Sequence, residues 1–269
     1  MDRHRRPESI SSDQSGGDEV DGPIWIRGRH EVLEYLHAEK PIETILIRQD
    51  AHGRDIDEIQ HLARKKTIKL QVLPEQGFLQ KVGGHSQGVA ARVGCFPYAC
   101  LEDLLNIAKK QETSTILVLN HVEDPRNLGA IVRTAEIAGA VGIIIPKNRA
   151  AGMTEWAMRT AQGASAYLPV ARVTNIGVAV ERLREEGFWL YGVEEKGEIR
   201  YDEERYSPRI GLVIGGEDAG LGEKVKGMCD RRVRIPMFGK TASLNVSVSV
   251  GIVLYEVLRQ RNFVGEKAA

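Results

Sequence analysis

The stretch Gly211-Leu212-Val213-Ile214 belongs to a set of nearly continuous apolar runs in the second half of the chain. Similar runs occupy residues 116–119, 141–145 and 188–193, and helical patterns separate them. A strand carries such a run when helices cover both of its faces, because neither face then meets water. The sequence therefore predicts an α/β fold with a parallel sheet.

The first half of the chain alternates shorter elements. Apolar runs at residues 24–26, 44–47, 68–73 and 89–93 predict strands, and periodic patterns at 31–37 and 55–66 predict helices. We interpret residues 23–98 as a small α/β domain, 99–113 as a linker and 114–269 as a second domain. Residues 1–22 lack the apolar region of a signal peptide and are predicted to be a disordered tail.

The composition narrows the class of protein. Lys and Arg number 37 and Asp and Glu also number 37, so a nucleic-acid-binding surface would have to be a local patch. Three cysteines without a C-x-x-C pair indicate neither a disulfide framework nor a zinc site, which predicts a cytoplasmic protein without a metal. No apolar run approaches the roughly 20 residues of a membrane span, so no membrane partner is expected.

Three segments of the second half place polar residues at the ends of predicted strands, where open α/β sheets bind their ligands. The first, residues 120–133, contains Asn127 and Arg133. Asn127 is well placed to cap the helix that follows, and Arg133 can simply pair with a surface carboxylate. Taken alone, this segment indicates no specific function.

The other two segments contain a glycine-rich turn and the start of the last helix. Gly215 and Gly216 would let a ligand approach the backbone closely, and the adjacent carboxylate of Glu217 is harder to explain structurally. Ser243 and Asn245 precede the last helix, and either can serve as its cap. These turns are the candidates for forming an active site.

Two common nucleotide sites are excluded. Gly239-Lys240-Thr241 imitates the end of a P-loop, but Arg234 stands where the first glycine is required. No G-x-G-x-x-G fingerprint follows an early strand. A cofactor would therefore have to be held in another way.

In order and spacing, the three segments together resemble the SpoU (TrmH) family of RNA ribose methyltransferases over residues 114–269. The resemblance implies an RNA 2'-O-ribose methyltransferase that uses S-adenosylmethionine, a C-terminal trefoil knot, and a homodimer that packs through the last helix. It implies catalytic roles for Asn127, Arg133, Glu217, Ser243 and Asn245. It implies cofactor binding by backbone around Gly215, Gly216, Ile235 and Leu244.

The first domain carries a looser resemblance, through the segments Gly28-Arg29-His30-Glu31-Val32 and Gln87-Gly88-Val89-Ala90. These are similar to the substrate-binding domain of the 23S rRNA guanosine 2'-O-methyltransferase branch. The domain also resembles kink-turn-binding ribosomal proteins, which implies RNA binding by basic side chains. The candidates are Arg27, Arg29, Arg48, Arg54, Lys65, Lys66 and Lys81. The alternatives are a tRNA or resistance-type rRNA methyltransferase and a non-catalytic ribosome-assembly protein.

The chemistry assigns provisional roles to the site residues. A ribose 2'-hydroxyl is a poor nucleophile, so its proton must be handled and its oxygen aligned with the methyl group. Arg133 is always charged, which favours a phosphate clamp and oxyanion stabiliser over a base. Glu217 can accept the proton or fix Arg133 or Asn127, and Ser243 and Asn245 can orient the ribose.

Overall fold

The structure is a computed structural model, and it describes residues 24–84, 86–216 and 220–265. The predicted tail at residues 1–22 lies outside these ranges. The first sheet and its helices comprise β1 (Ile24–Arg27), α1 (Arg29–His37), β2 (Thr44–Arg48), α2 (Arg54–Lys65), β3 (Lys69–Leu73), α3 (Glu75–Val82) and β4 (Val89–Val93).

The second part of the chain builds a larger sheet. Its elements are α4 (Leu101–Ala108), β5 (Ser114–Asn120), α5 (Pro125–Ile137), β6 (Gly142–Pro146), α6 (Glu155–Ala161), a 3₁₀ turn (Ala164–Ala166), β7 (Val170–Val173), α7 (Ile176–Glu185), β8 (Trp189–Val193), β9 (Ile199–Arg200), β10 (Arg209–Gly215), α8 (Glu223–Lys226), β11 (Arg231–Arg234) and α9 (Val246–Gln260).

The first sheet is mixed, with the strand order β1-β4-β2-β3 among the described residues. Strand β4 runs antiparallel to both β1 and β2, whereas β2 and β3 are parallel. This pairing brings together the two segments that carry the looser resemblance: the Arg29 backbone N–H donates to Oε1 of Gln87 at 3.1 Å, and Arg29 Nε donates to the Gln87 carbonyl at 3.2 Å.

The second sheet has the order β7-β6-β5-β10-β8-β11-β9, and every pairing recorded in its described residues is parallel. The predicted parallel sheet is thus confirmed, and the four apolar runs form β5, β6, β8 and β10. Strand β10 inserts between β5 and β8. Because all strands run the same way, their carboxyl ends meet at one edge of the sheet.

Helix α4 lies in the segment that the sequence predicts to be a linker. Its side chains Leu104, Leu105 and Ala108 are fully buried, in one apolar cluster with Ile116 and Val118 of β5. The helix is amphipathic, so it covers a face of the second sheet instead of spanning solvent. Segment 99–113 therefore contributes to the core of the second part of the chain.

The two sheets are joined through a specific interface. Glu155 of α6 accepts from the Trp25 backbone N–H at 3.0 Å and forms an ion pair with Arg27 at 2.9 Å. The Tyr35 hydroxyl and the Ser165 hydroxyl are 3.0 Å apart in a buried position. One continuous apolar cluster contains core residues of both sheets. The first domain is therefore packed on the second and not merely tethered to it.

Within the described ranges, the longest helices are too short or too polar to cross a membrane. Cys95, Cys100 and Cys229 are not joined in disulfide bonds.

Candidate active site

A cavity of about 390 Å³ opens at the carboxyl edge of the second sheet, where β8, β10 and β11 end. Its walls combine strand ends with the loop before α9. The lining residues are Val193, Glu194, Glu195, Lys196, Ile214, Gly215, Gly216, Gly220, Lys226, Ile235, Met237, Ser243, Leu244, Val246 and Ser249. This volume lies in the range of small-molecule sites, about 300–1,000 Å³.

The four predicted cofactor residues, Gly215, Gly216, Ile235 and Leu244, all line this cavity. The glycines are needed for a reason that the sequence did not reveal. A Cβ atom on Gly215 would overlap the backbone of Gly220, and one on Gly216 would overlap the carbonyl of His121. The close approach at these positions is therefore that of the chain's own backbone.

The segment after β10 is hydrogen-bonded to the end of β5. The Gly216 N–H donates to the Asn120 carbonyl at 2.8 Å, and Nδ2 of Asn120 donates to the Leu221 carbonyl at 2.9 Å. His121 follows with a φ of 61°, a left-handed conformation that is uncommon outside glycine and marks strain. The predicted catalytic residue Glu217 is outside the described residues.

The first and third predicted segments meet at the start of α9. Asn245 is the cap of this helix, and its Oδ1 accepts from the Ser247 backbone N–H at 3.0 Å. Its Nδ2 donates to Oδ1 of Asn127 at 2.9 Å. Ser243, two residues earlier, lines the cavity. The structure therefore joins Asn127 to Asn245, and Asn245 lies between Leu244 and Val246, which line the cavity, although neither asparagine is itself a lining residue.

Asn127 does not cap its own helix, and the expectation that it would is wrong. Helix α5 begins one turn earlier, with Asp124 as its cap and Pro125 in the first turn. The Asp124 carboxylate accepts from the Arg126 backbone N–H at 2.7 Å, and its hydrogen bond with the Arg126 guanidinium holds the pKa of this carboxyl below its usual range. Because Asp124 satisfies the helix terminus, the Asn127 side chain is available to Asn245.

Within one chain, Arg133 lies away from the cavity. It is exposed on the outer face of α5, six residues beyond Asn127, which corresponds to about 9 Å along the helix. It lines a separate groove between α5 and α6, together with Trp156 and Arg159. The structure thus does not bring Arg133 to the cavity that its own chain forms.

Sequence reasoning missed the residues that follow β8. Glu194, Glu195 and Lys196 line the cavity, as does Lys226 of α8. The signal for them was available, since β8 is one of the predicted parallel strands and ligands bind beyond the carboxyl ends of such strands.

The basic residues proposed for RNA binding divide into two groups. Arg27, Arg48 and Lys66 form ion pairs with Glu155, Asp50 and Glu39, and Arg29 donates to backbone carbonyls. Arg54, Lys65 and Lys81 have exposed side chains. The second group is the better candidate for phosphate contacts.

Comparison with known families gives two matches that follow the two parts of the chain. Residues 114–255 match the SpoU rRNA methylase family, and residues 25–99 match the RNA 2'-O ribose methyltransferase substrate-binding family. The first match contains β5 to most of α9, and the second contains the mixed sheet.

Individual relatives agree with these matches. A putative TrmH family tRNA/rRNA methyltransferase, YacO of Bacillus subtilis, is 38% identical over 90% of this chain and 98% of its own. The SpoU methyltransferase AviRb of Streptomyces viridochromogenes, solved with AdoMet, is 26% identical with a TM-score of 0.75, covering 91% of this chain and 92% of its own. The A. aeolicus TrmH/SpoU tRNA-modifying enzyme is 28% identical with a TM-score of 0.52, covering 61% of this chain and 84% of its own. This chain therefore belongs to the SpoU family of S-adenosylmethionine-dependent RNA 2'-O-methyltransferases.

Proposed function

We propose that this methyltransferase modifies the ribose 2'-hydroxyl of a guanosine in 23S rRNA, in the cytoplasm and as a homodimer. The observation that carries the proposal is the meeting of three separate segments at one cavity. The carboxyl ends of β8, β10 and β11, the loop before α9, and the Asn127–Asn245 pair all adjoin it.

The cavity suits S-adenosylmethionine. Ile214, Ile235 and Leu244 offer apolar walls for an adenine ring, and Glu194 offers a buried polar atom, Oε1, without a hydrogen-bond partner among the described residues. Bound there, the cofactor supplies an electrophilic methyl group on a sulfonium. We also propose that the segment leading to α9 is threaded as in the family's trefoil knot, which would let it close the cavity opposite the strand ends.

The chain's own residues would handle the 2'-hydroxyl. The hydrogen bond between Asn127 and Asn245 fixes two amides beside the segment that lines the cavity, and we assign to these amides the orientation of the ribose, without added charge. Ser243 adds a hydroxyl at the same place. We assign the proton to Glu217, and we assign Arg133 to clamping the substrate phosphate and stabilising the developing oxyanion.

Two features of the outer surface support the proposed homodimer. Val248, Ile252 and Tyr255 lie on one face of α9, with Val248 at 50% and Tyr255 at 44% exposure. An apolar stripe on an exposed helix face is typical of an interface. Arg133 also lies outside its own cavity, so we propose that each subunit supplies its Arg133 to the cavity of its partner.

Mixed dimers test this assignment. Arg133→Ala alone should abolish methylation while dimerisation and S-adenosylmethionine affinity stay near wild type, because Arg133 does not line the cofactor cavity. Asn245→Ser alone should also be inactive. A heterodimer of the two variants, purified through different tags, should recover one intact site of the two. An inactive heterodimer would show that Arg133 acts in its own subunit.

The choice of rRNA over tRNA rests on the first domain. The similarity to the tRNA-modifying enzyme of A. aeolicus spans only 61% of this chain, whereas a separate match to a substrate-binding family covers residues 25–99. An added substrate-binding domain fits a large RNA whose target must be selected among many nucleotides. Exposed Arg54, Lys65 and Lys81 are the proposed phosphate contacts.

Mapping ribose methylation in total RNA from cells with and without this protein tests the substrate. We expect one 2'-O-methylguanosine of 23S rRNA to disappear with the protein, with tRNA unchanged. Loss of a tRNA methyl group, or of another rRNA nucleotide, would replace the proposed target. An unchanged map together with retained RNA binding would indicate a non-catalytic assembly protein.

A further inference from the structure

Glu194 occupies a central position in the cavity wall. It is the first residue after β8, and β8 lies between β10 and β11 in the sheet. Its backbone N–H donates to the Val233 carbonyl at 3.1 Å, which fixes the residue to the neighbouring strand. Only 15% of its side chain is exposed. Glu194 therefore stands at a defined point between the strand ends that carry Gly215 and Ile235.

The negative charge of the Glu194 carboxylate lies close to two cations, but one of its oxygens accepts no hydrogen bond from the described residues. Its Oε1 lies 3.4 Å from Lys226 Nζ and 3.6 Å from Arg232 Nη1. Neither contact is a hydrogen bond, and among the described residues this buried oxygen has no hydrogen-bond partner. Buried polar atoms in native proteins usually find a partner, so an unfilled one in a ligand cavity points to a group on the ligand.

The ribose of S-adenosylmethionine offers the matching chemistry. Its two neighbouring hydroxyls are hydrogen-bond donors, and an ionised carboxylate only accepts. Hydrogen bonds from a hydroxyl to a carboxylate are short and strong. An acidic side chain placed near a strand end also contacts the ribose in dinucleotide-binding sheets, so the arrangement has a physical precedent.

We propose that Glu194 binds the cofactor by accepting hydrogen bonds from the ribose hydroxyls of S-adenosylmethionine. This inference rests on the proposed cofactor cavity. It adds a side chain to a site that the family resemblance predicts to be formed by backbone around Gly215, Ile235 and Leu244. Lys226 and Arg232 lie near this carboxylate and offset its negative charge.

Calorimetric binding of S-adenosylhomocysteine and of its 2'-deoxy and 3'-deoxy ribose analogues tests the proposal without requiring activity. The wild-type protein should bind at least one deoxy analogue about 10- to 100-fold more weakly than the parent, as expected for a lost hydrogen bond to a charged group. In Glu194→Met, which keeps the side-chain volume but has no oxygen acceptor, this ratio should fall to about one. In Glu194→Gln it should fall to an intermediate value.

Glu198→Gln is the matched control. Glu198 pairs with the same Arg232 but does not line the cavity, so its variant should keep the wild-type ratio. If Glu194 only stabilises its two cations, both ligands should weaken equally and the ratio should stay unchanged, which overturns the proposal. If the wild-type protein fails to bind S-adenosylhomocysteine at all, the cavity assignment itself fails, and with it the role of Glu194.

Discussion

Asn245 performs two tasks with one amide. Its oxygen caps α9, and its nitrogen donates to Asn127, the residue at the start of α5. The cap can be supplied by several short polar residues, whereas the second bond needs the reach of an amide. This difference makes it possible to separate the stability of α9 from the assembly of the site.

Replacing Asn245 by Ser or Ala should separate the two tasks. Asn245→Ser retains a good cap but is too short to contact Asn127, so the unfolding free energy should stay within a few tenths of a kcal/mol while methyl transfer is lost. Asn245→Ala loses the cap as well and should cost about 1 kcal/mol. Thermal unfolding and a methyl-transfer assay measure both effects. Full activity in the Ser variant would contradict a role for the Asn127 contact.

Single residues also show how far the sequence predicts the site. The family resemblance identified Gly215, Gly216, Ile235 and Leu244, and all four line one cavity. The cap at Asp124 was missed because Asn127 has the same capping preference and stands only three residues away. The position of Arg133 was also not predictable, since the sequence does not state which face of α5 adjoins the cavity.

Helix α5 packs against two other helices of the second domain. One side contacts α6 and another contacts α9, where Thr134 lies beside Gly251. The contact with α6 is close because Gly129 has no side chain: an added Cβ would overlap the Ala157 carbonyl and lie 2.7 Å from Cβ of Thr160. This glycine therefore sets the distance between the two helices.

Gly129→Ala should move α6 away from α5 and cost about 1–3 kcal/mol, the range for overpacking a core. Gly77→Ala is the control, because Gly77 lies in α3 with open space around its Cβ position. That change should stabilise the protein by about 0.5–1 kcal/mol, since alanine is the better helix former. Equilibrium denaturation measures both. A neutral Gly129→Ala would show that the helices can separate freely.

At the level of elements, periodicity predicted the type of most strands and helices but not their arrangement. The runs that form β5, β6, β8 and β10 are long and apolar, so they were identifiable from local sequence. The insertion of β10 between β5 and β8 depends on contacts between distant residues, which no local pattern contains. Strand β9 has only two residues and left no signal. The proposed domain boundaries stay predictions.

The whole molecule is held together by the contact of α1 and β1 with α6 and the 3₁₀ turn. Burial there raises the pKa of Tyr35 to about 12, and its hydroxyl is paired with that of Ser165. Deleting the first domain would expose apolar core residues of the second. Charge-removing variants of Arg54, Lys65 and Lys81 are therefore the cleaner test of RNA affinity, with a reduced salt dependence as the expected result.

Glu155→Ala should loosen this interface. The change leaves the Trp25 N–H and the Arg27 guanidinium without their acceptor, which should cost about 1–3 kcal/mol. Hydrogen exchange should speed up in β1 and α6 and stay unchanged in the distant β8. Glu181→Ala is the control, because Glu181 pairs with Arg184 at an exposed surface. Equal exchange in both variants would contradict the interface described above.

The shared apolar core has a consequence for how a target nucleotide is chosen. Because the first domain is packed on the second, an RNA bound to the first domain would present its reactive ribose at a fixed distance from that binding surface. Selection then depends on the number of nucleotides between two points of the RNA as much as on the identity of the target base. An inserted nucleotide in that spacer would carry the target nucleotide past the methyl donor.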